Sequence, residues 1–282
     1  MAQRAKIEIY NRLLLTRLAR YLCDYADCIT PEMIDETVKD CGFTAEQAFR
    51  TLATGVLDLY DESEVRELYL SNMFRLLDAA QYKSDPFMQS IRLETGMHGD
   101  WSVEQKRVKP FEAFVWNDLK RMDDGRLIPQ IGFFDCEYAC PRVCQGGRER
   151  MSVTPNEIET MKKPIARAFG DVVTYGLGLG YFAFMCQNKD TVKTVTVVER
   201  DASVIELFTR LILPQFPHKD KIRLIRADAF DYARNDARCD FVFADLWHDP
   251  SDGADAYLKL KGMERTGTEY AYWIEDTLRC YL

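Results

Sequence analysis

Long apolar runs and an excess of positive charge are both missing from this chain, and histidine is scarce. No stretch approaches 18 uninterrupted apolar residues; the nearest candidate, residues 171–186, opens on a charge and is broken by three glycines, so no transmembrane helix is expected. The first residues, Met1-Ala-Gln-Arg-Ala-Lys-Ile-Glu, carry mixed charge in place of an apolar leader core, and the expected location is cytoplasmic. Lys and Arg number 37 against 45 Asp and Glu, a formal charge of −8. Backbone-driven nucleic-acid binding depends on clustered cations, so nucleic acid is not an expected partner. The nine cysteines are an odd, scattered set, read as reduced thiols. Within Cys136-x3-Cys140-x3-Cys144 the radical-enzyme spacing would need its third cysteine at Val143, and no fourth Cys or His stands close by, so no metal is expected. With 47% hydrophobic and 29% charged residues, the composition excludes disorder, collagen and a disulfide knot.

Two periodicities organise what is there. Up to about residue 81 apolar residues recur at helical spacing, as in Leu14, Leu18 and Leu22, then Ile34 and Val38, then Phe49 and Leu52. Thr30-Pro31 is an N-cap followed by proline at the first helical position, Gly42 suits a C-cap, and Thr44-Ala-Glu-Gln47 reads as a capping box. Three to five helices fit, with packing or contact in a homo-oligomer as their role. Residues 84–125 read as a connector carrying one helix at 110–121, 127–134 as a strand, 135–150 as a loop, and Thr154-Pro-Asn-Glu157 as the cap of a further helix. The expected division is a mainly helical domain over 1–125 and an α/β domain over 126–282.

After Asp171 strands and helices alternate. Residues 172–175, 194–198, 222–225 and 241–244 are short Val, Ile and Phe runs, as expected of parallel strands buried on both faces, with helices at 182–188, 202–213 and 229–234. Residues 257–282 read mostly as helix, which makes the sheet abbreviated at its C-terminal end unless 127–134 joins it. The first strand runs into Val172-Val-Thr-Tyr175-Gly176-Leu-Gly178-Leu-Gly180-Tyr, a glycine turn entering a helix, where a ligand can approach the backbone and meet free N–H groups. Tyr181 stands where a dinucleotide fingerprint requires its last glycine, and no Gly-Lys-Ser/Thr follows for a phosphate loop. Glu199 ends the second strand, where a carboxylate can accept both ribose hydroxyls. Asp228, followed by Ala229, closes the third strand, and Asp245 ends the fourth at the carboxyl edge of the sheet.

These four elements, over residues 171–250, resemble a class I S-adenosylmethionine-dependent methyltransferase with a Rossmann-like sheet. The wording Val198-Glu-Arg-Asp-Ala-Ser-Val-Ile205 and Ala244-Asp-Leu-Trp-His-Asp-Pro250 is similar to its spermidine synthase branch, although one extra residue separates Asp245 from Asp249 and no Tyr-His-Glu polyamine segment precedes the glycine turn. The resemblance implies S-adenosyl-L-methionine as cofactor, with Tyr175, Gly176, Gly178 and Gly180 around its methionine part, Glu199 on the ribose, Asp228 and Ala229 at the adenine, and Asp245 beside them. It implies methyl transfer to a small-molecule or peptidic acceptor; from the residues themselves, Trp247-His248-Asp249 follows the fourth strand, where a His beside a carboxylate can act as a general base and an indole can stack on an acceptor, so Asp245, His248 and Asp249 are the catalytic candidates. Arg142, Arg148 and Arg150 are candidates for an acidic group, and the Cys136 to Arg150 segment for a lid. Two alternatives stand beside this reading: a noncatalytic scaffold on the same fold, and aminopropyl transfer to a polyamine.

Overall fold

Each periodicity closes on a core of its own. The computed structural model describes residues 2–235 and 238–282, and the chain forms two compact units. One runs up to Ala80 and takes in Arg107–Ala139; the other comprises Gln81–Lys106 and Cys140–Leu282. No helix among the described residues is long and apolar enough to cross a membrane.

The first unit is mainly helical, with α1 (Ala2–Asp24), α2 (Pro31–Cys41), α3 (Ala45–Val56) and α4 (Ser63–Tyr69). Their ends follow the local chemistry. The Thr30 hydroxyl accepts from the Met33 N–H, Gly42 closes α2 in the left-handed region at φ 67°, and both arms of the Thr44/Gln47 capping box are made. Leu14, Leu18, Ile34, Phe49, Val65 and Tyr69 share one core with Ile131 and Phe133, and the Phe49 and Phe133 rings stack at 3.8 Å.

Two expectations fail in this unit. Residues 127–134 do not reach the large sheet: Leu127–Ile128 pairs with Lys120–Arg121, and Ile131–Phe133 lies between Phe74–Leu76 and Phe114–Val115. Residues 110–121 are not a helix. The N–H groups of Phe111, Ala113 and Trp116 donate to Phe134, Ala26 and Gln130 instead of to carbonyls four residues back, and Phe111 sits at φ 59°. Alternate burial of Phe111 and Ala113 against neighbouring chain outweighs the local helical spacing.

In the second unit the strands Gly96–His98, Trp101–Val108, Tyr138–Gln145 and Arg148–Ser152 form a sheet in that order. The segment read as a loop or lid over 135–150 is therefore largely a hairpin. Cys140 and Cys144 are buried in its first strand, while Cys136 lies before it and is exposed, so the three thiols share no helical face. This unit also differs from a single cut at residue 125. The helix Pro86–Ser90 sets Phe87 against Phe184 at 5.4 Å, and the Tyr181 hydroxyl donates to Asp85 at 2.9 Å, drawing 81–106 into the α/β core.

That core is a five-stranded parallel sheet of β1 (Gly170–Tyr175), β2 (Val192–Glu199), β3 (Ile222–Arg226), β4 (Phe241–Ala244) and β5 (Glu269–Tyr272) in the order β3-β2-β1-β4-β5. Helix α5 (Pro155–Arg167) precedes β1, and α6 (Tyr181–Gln187), α7 (Ala202–Leu211), α8 (Ala229–Asn235) and α9 (Pro250–Lys261) connect the strands. Val173, Tyr175, Val242 and Ala244 pack with Trp247, Tyr257, Leu260 and Leu278 on one face. Phe243 alternates to the other, where Phe182 stacks on it at 4.3 Å. β5 corrects the reading of 257–282 as mostly helix: Ala271 and Tyr272 are buried against β4, a demand that periodicity over four residues does not announce.

The end of α5 depends on one cation. Lys189 Nζ donates to the carbonyls of Ile165, Ala166 and Ala168, covering acceptors that a helix end leaves open. Lys189→Met is expected to lower stability by about 1–3 kcal/mol, read as a lower urea midpoint with an unchanged m-value.

Candidate active site

The turn after β1 is built by three left-handed glycines. Gly176, Gly178 and Gly180 have φ of 94°, 52° and 80°, a region that costs other residues about 1–2 kcal/mol each. Their surroundings differ. A Cβ on Gly176 would lie 2.0 Å from the Asp245 carbonyl oxygen, and one on Gly180 would lie 2.4 Å from the Phe208 ring, whereas one on Gly178 would meet nothing within 4 Å. The outer glycines keep the turn close to its neighbours; the middle one faces open space.

The acids arrive at the same edge. Glu199 ends β2 and accepts from the Leu177 N–H at 3.3 Å and the Asp201 N–H at 2.8 Å, so its carboxylate is tied to the glycine turn. Each of its oxygens keeps a further lone pair. Asp228 follows β3 and accepts from the N–H groups of Phe230 and Asp231 at 2.8 and 3.1 Å, capping α8 with Ala229 buried beside it. Asp245 follows β4, and its N–H donates to the Tyr175 carbonyl at 2.9 Å. The Tyr175 ring packs edge-on to Tyr232 in the core, so only its backbone belongs to the turn.

A cavity opens beneath the turn, lined by Gly176, Gly178, Tyr181, Thr174, Ser152, Met161, Phe182, Phe243, Asp245 and Glu157. Glu157 is the residue that sequence reasoning missed. Its capping-box signal was legible, and Glu157 Oε2 does accept from the Thr154 N–H at 2.8 Å, but that role says nothing of the cavity beside it. Burial pushes the Asp245 carboxyl up to about 7. Burial first, then the nearby charge of Asp245, pushes Glu157 up to about 8. A pair of titratable groups displaced toward neutrality inside a cleft is the usual mark of a functional site.

The remaining candidates lie elsewhere. His248 and Asp249 are exposed and do not line the cavity. Asp249 caps α9, accepting from the Ser251 N–H at 2.7 Å, and this bonding from Ser251 holds its carboxyl below the ordinary value. Trp247 is buried in the core under α9 and offers no stacking surface. Arg142 is paired with Glu104 at 2.7 Å, and Arg148 and Arg150 are exposed on the hairpin.

No protein-family model and no curated protein matches the chain. Among solved structures it is similar to the precorrin 8w decarboxylase of Methanobacterium thermoautotrophicum, at 15% identity and a TM-score of 0.32, over 40% of this chain and 58% of that one. It is similar also to the spermidine synthase of Thermotoga maritima, at 14% identity and a TM-score of 0.33, over 48% and 53%. The chain thus spans little more than half the length of either structure.

Two expected outcomes follow from this geometry. Gly176→Ala should cost more than about 3 kcal/mol because backbone blocks the new methyl, and Gly178→Ala only about 1–2 kcal/mol, both measured by chemical denaturation. Asp245 and Glu157 hold protons in the folded state that the unfolded chain releases near 3.8 and 4.5. Stability should therefore fall as pH rises from these values through about 7 and 8, and Asp245→Asn should flatten that slope in urea titrations at several pH values.

Proposed function

We propose that the chain is a cytoplasmic S-adenosylmethionine-dependent transferase of the class I, Rossmann-like type that methylates a small-molecule or peptidic acceptor. One observation carries the reading: the glycine turn, Glu199, Asp228 and Asp245 follow β1, β2, β3 and β4 at the carboxyl edge of a parallel sheet ordered β3-β2-β1-β4-β5. That edge is where ligands of doubly wound sheets bind. The space above Gly178 and the spare lone pairs of Glu199 fit such a ligand. Gly178 and the turn would hold the methionine part, Glu199 the ribose hydroxyls, and the Asp228 carboxylate the adenine amine. When bound, the cofactor supplies an electrophilic methyl group on a sulfonium.

The chain's own contribution is positioning and proton handling. Fixed donors and acceptors at the sheet edge orient what they bind without reorganising. Asp245, raised toward neutrality, can take up or release a proton beside the turn near pH 7. His248, exposed and outside the cavity, could act only on an acceptor lying over the sheet edge.

Calorimetry with S-adenosylhomocysteine tests the reading, and absence of binding at millimolar ligand overturns it. Glu199→Gln is expected to weaken binding about 10- to 150-fold, the equivalent of about 1.5–3 kcal/mol for a charge-assisted contact, with an unchanged circular dichroism spectrum. Unchanged affinity in that variant would remove Glu199 from the site. Gly178→Val should abolish binding by filling the space.

A further inference from the structure

The outward faces of α1 and α2 carry opposite charges that the first unit leaves unpaired. Ile7, Leu14, Leu18 and Tyr21 turn the other face of α1 inward, and Ile34 does the same for α2. From Ile9 to Cys23, α1 holds three arginines and no acid, whereas α2 holds four acids and one lysine. Arg17 is spent on Asp58 at 3.5 Å and on the Leu57 carbonyl. Arg12 and Arg20 are exposed and have no carboxylate partner among the described residues, and Glu32, Asp35, Glu36 and Asp40 are exposed without a cationic one. The two rows match in length. Arg12 and Arg20 stand eight residues apart with exposed Thr16 midway, and Glu32 and Asp40 stand eight apart with Glu36 midway, so each row runs about 12 Å along one side of its helix.

Apolar surface lies along the same faces. Ile9 is 65% exposed on α1 and Met33 36% on α2. Tyr25, 44% exposed, stands where the chain turns from one helix to the other, with the Arg20 guanidinium 5.9 Å from its ring centre. Tyrosine and arginine among apolar side chains, bordered by charge, are what protein interfaces favour. A partner of one charge would cover only half of this surface. A second copy covers both halves, because a two-fold rotation lays the cationic row of each copy on the anionic row of the other. We infer that this surface is a two-fold interface between copies of this chain, in which Arg12 and Arg20 of one copy meet Glu32, Glu36 and Asp40 of the other around the Tyr25 corner. Exposed ion pairs contribute little one by one, so the charges set partner and register while Tyr25, Ile9 and Met33 supply the buried area.

The inference stands on the first unit alone and is independent of the proposed cofactor. Sedimentation equilibrium should show a dimer at low salt. Its association constant should fall at least about tenfold between about 0.1 M and about 1 M salt, as the screening length drops from about 10 Å to about 3 Å. Arg12→Glu with Arg20→Glu, and separately Glu36→Lys with Asp40→Lys, should each leave the chain monomeric at unchanged urea midpoints, because all four positions are exposed. Mixed in equal amounts, the two variants should dimerise again, since each contact then joins opposite charges. A monomer at low salt across the concentration range, dimers undiminished in both variants, or a mixture no more associated than its components overturns the interface.

Discussion

The second unit turns on the approach of β1 to the residue that follows β4. Gly176 leaves no room for a side chain between itself and the Asp245 carbonyl oxygen, and the Asp245 N–H donates to Tyr175 one residue earlier. Strand pairing thus runs without a gap into the turn. The same contact decides where the acids go. With Ala244 in register with Tyr175 and Val198 on β1's other side, Asp245 and Glu199 emerge flanking the glycines at one edge. A turn that could swing away from β4 would leave each carboxylate on an unrelated stretch of surface.

The electrostatics of that edge are uneven in an informative way. Glu199 and Asp228 sit among backbone N–H groups, which satisfy charge at little cost. Asp245 and Glu157 face a cavity walled in part by Met161, Phe182 and Phe243, and burial there penalises their ionisation. The four acids thus stand in two environments, three of them following strands of the sheet and Glu157 in the first turn of α5.

Much of this was legible in the sequence, for reasons that differ by element. The β1–β4 strands, the glycine turn and the caps at Thr30, Thr44 and Thr154 depend on local rules, and the structure carries them. What escaped depends on partners distant in sequence. The hairpin of Tyr138–Gln145 and Arg148–Ser152 lacks the strict alternation that announces a strand, with a register shift between Val143 and Cys144, and β5 is only four residues long. Trp247 could be either lip or core until α9 folded over it with Gly253, where a Cβ would lie 2.7 Å from the indole. Glu157 was visible only as a cap, because its second role exists only once α5 is laid against the glycine turn.

The same pair of acids bears on whether the fold is a scaffold or an enzyme. Glu157 has a structural use as the cap of α5, whereas Asp245 is a half-buried carboxyl for which the fold offers no cap. Local rules tend to be broken where function needs them broken. Gly178 points the same way, since its left-handed conformation strains any other residue and yet no neighbouring atom requires the absence of a side chain. A tight turn alone accounts for Gly176 and Gly180. The open space at Gly178 is the room that the proposed cofactor would occupy.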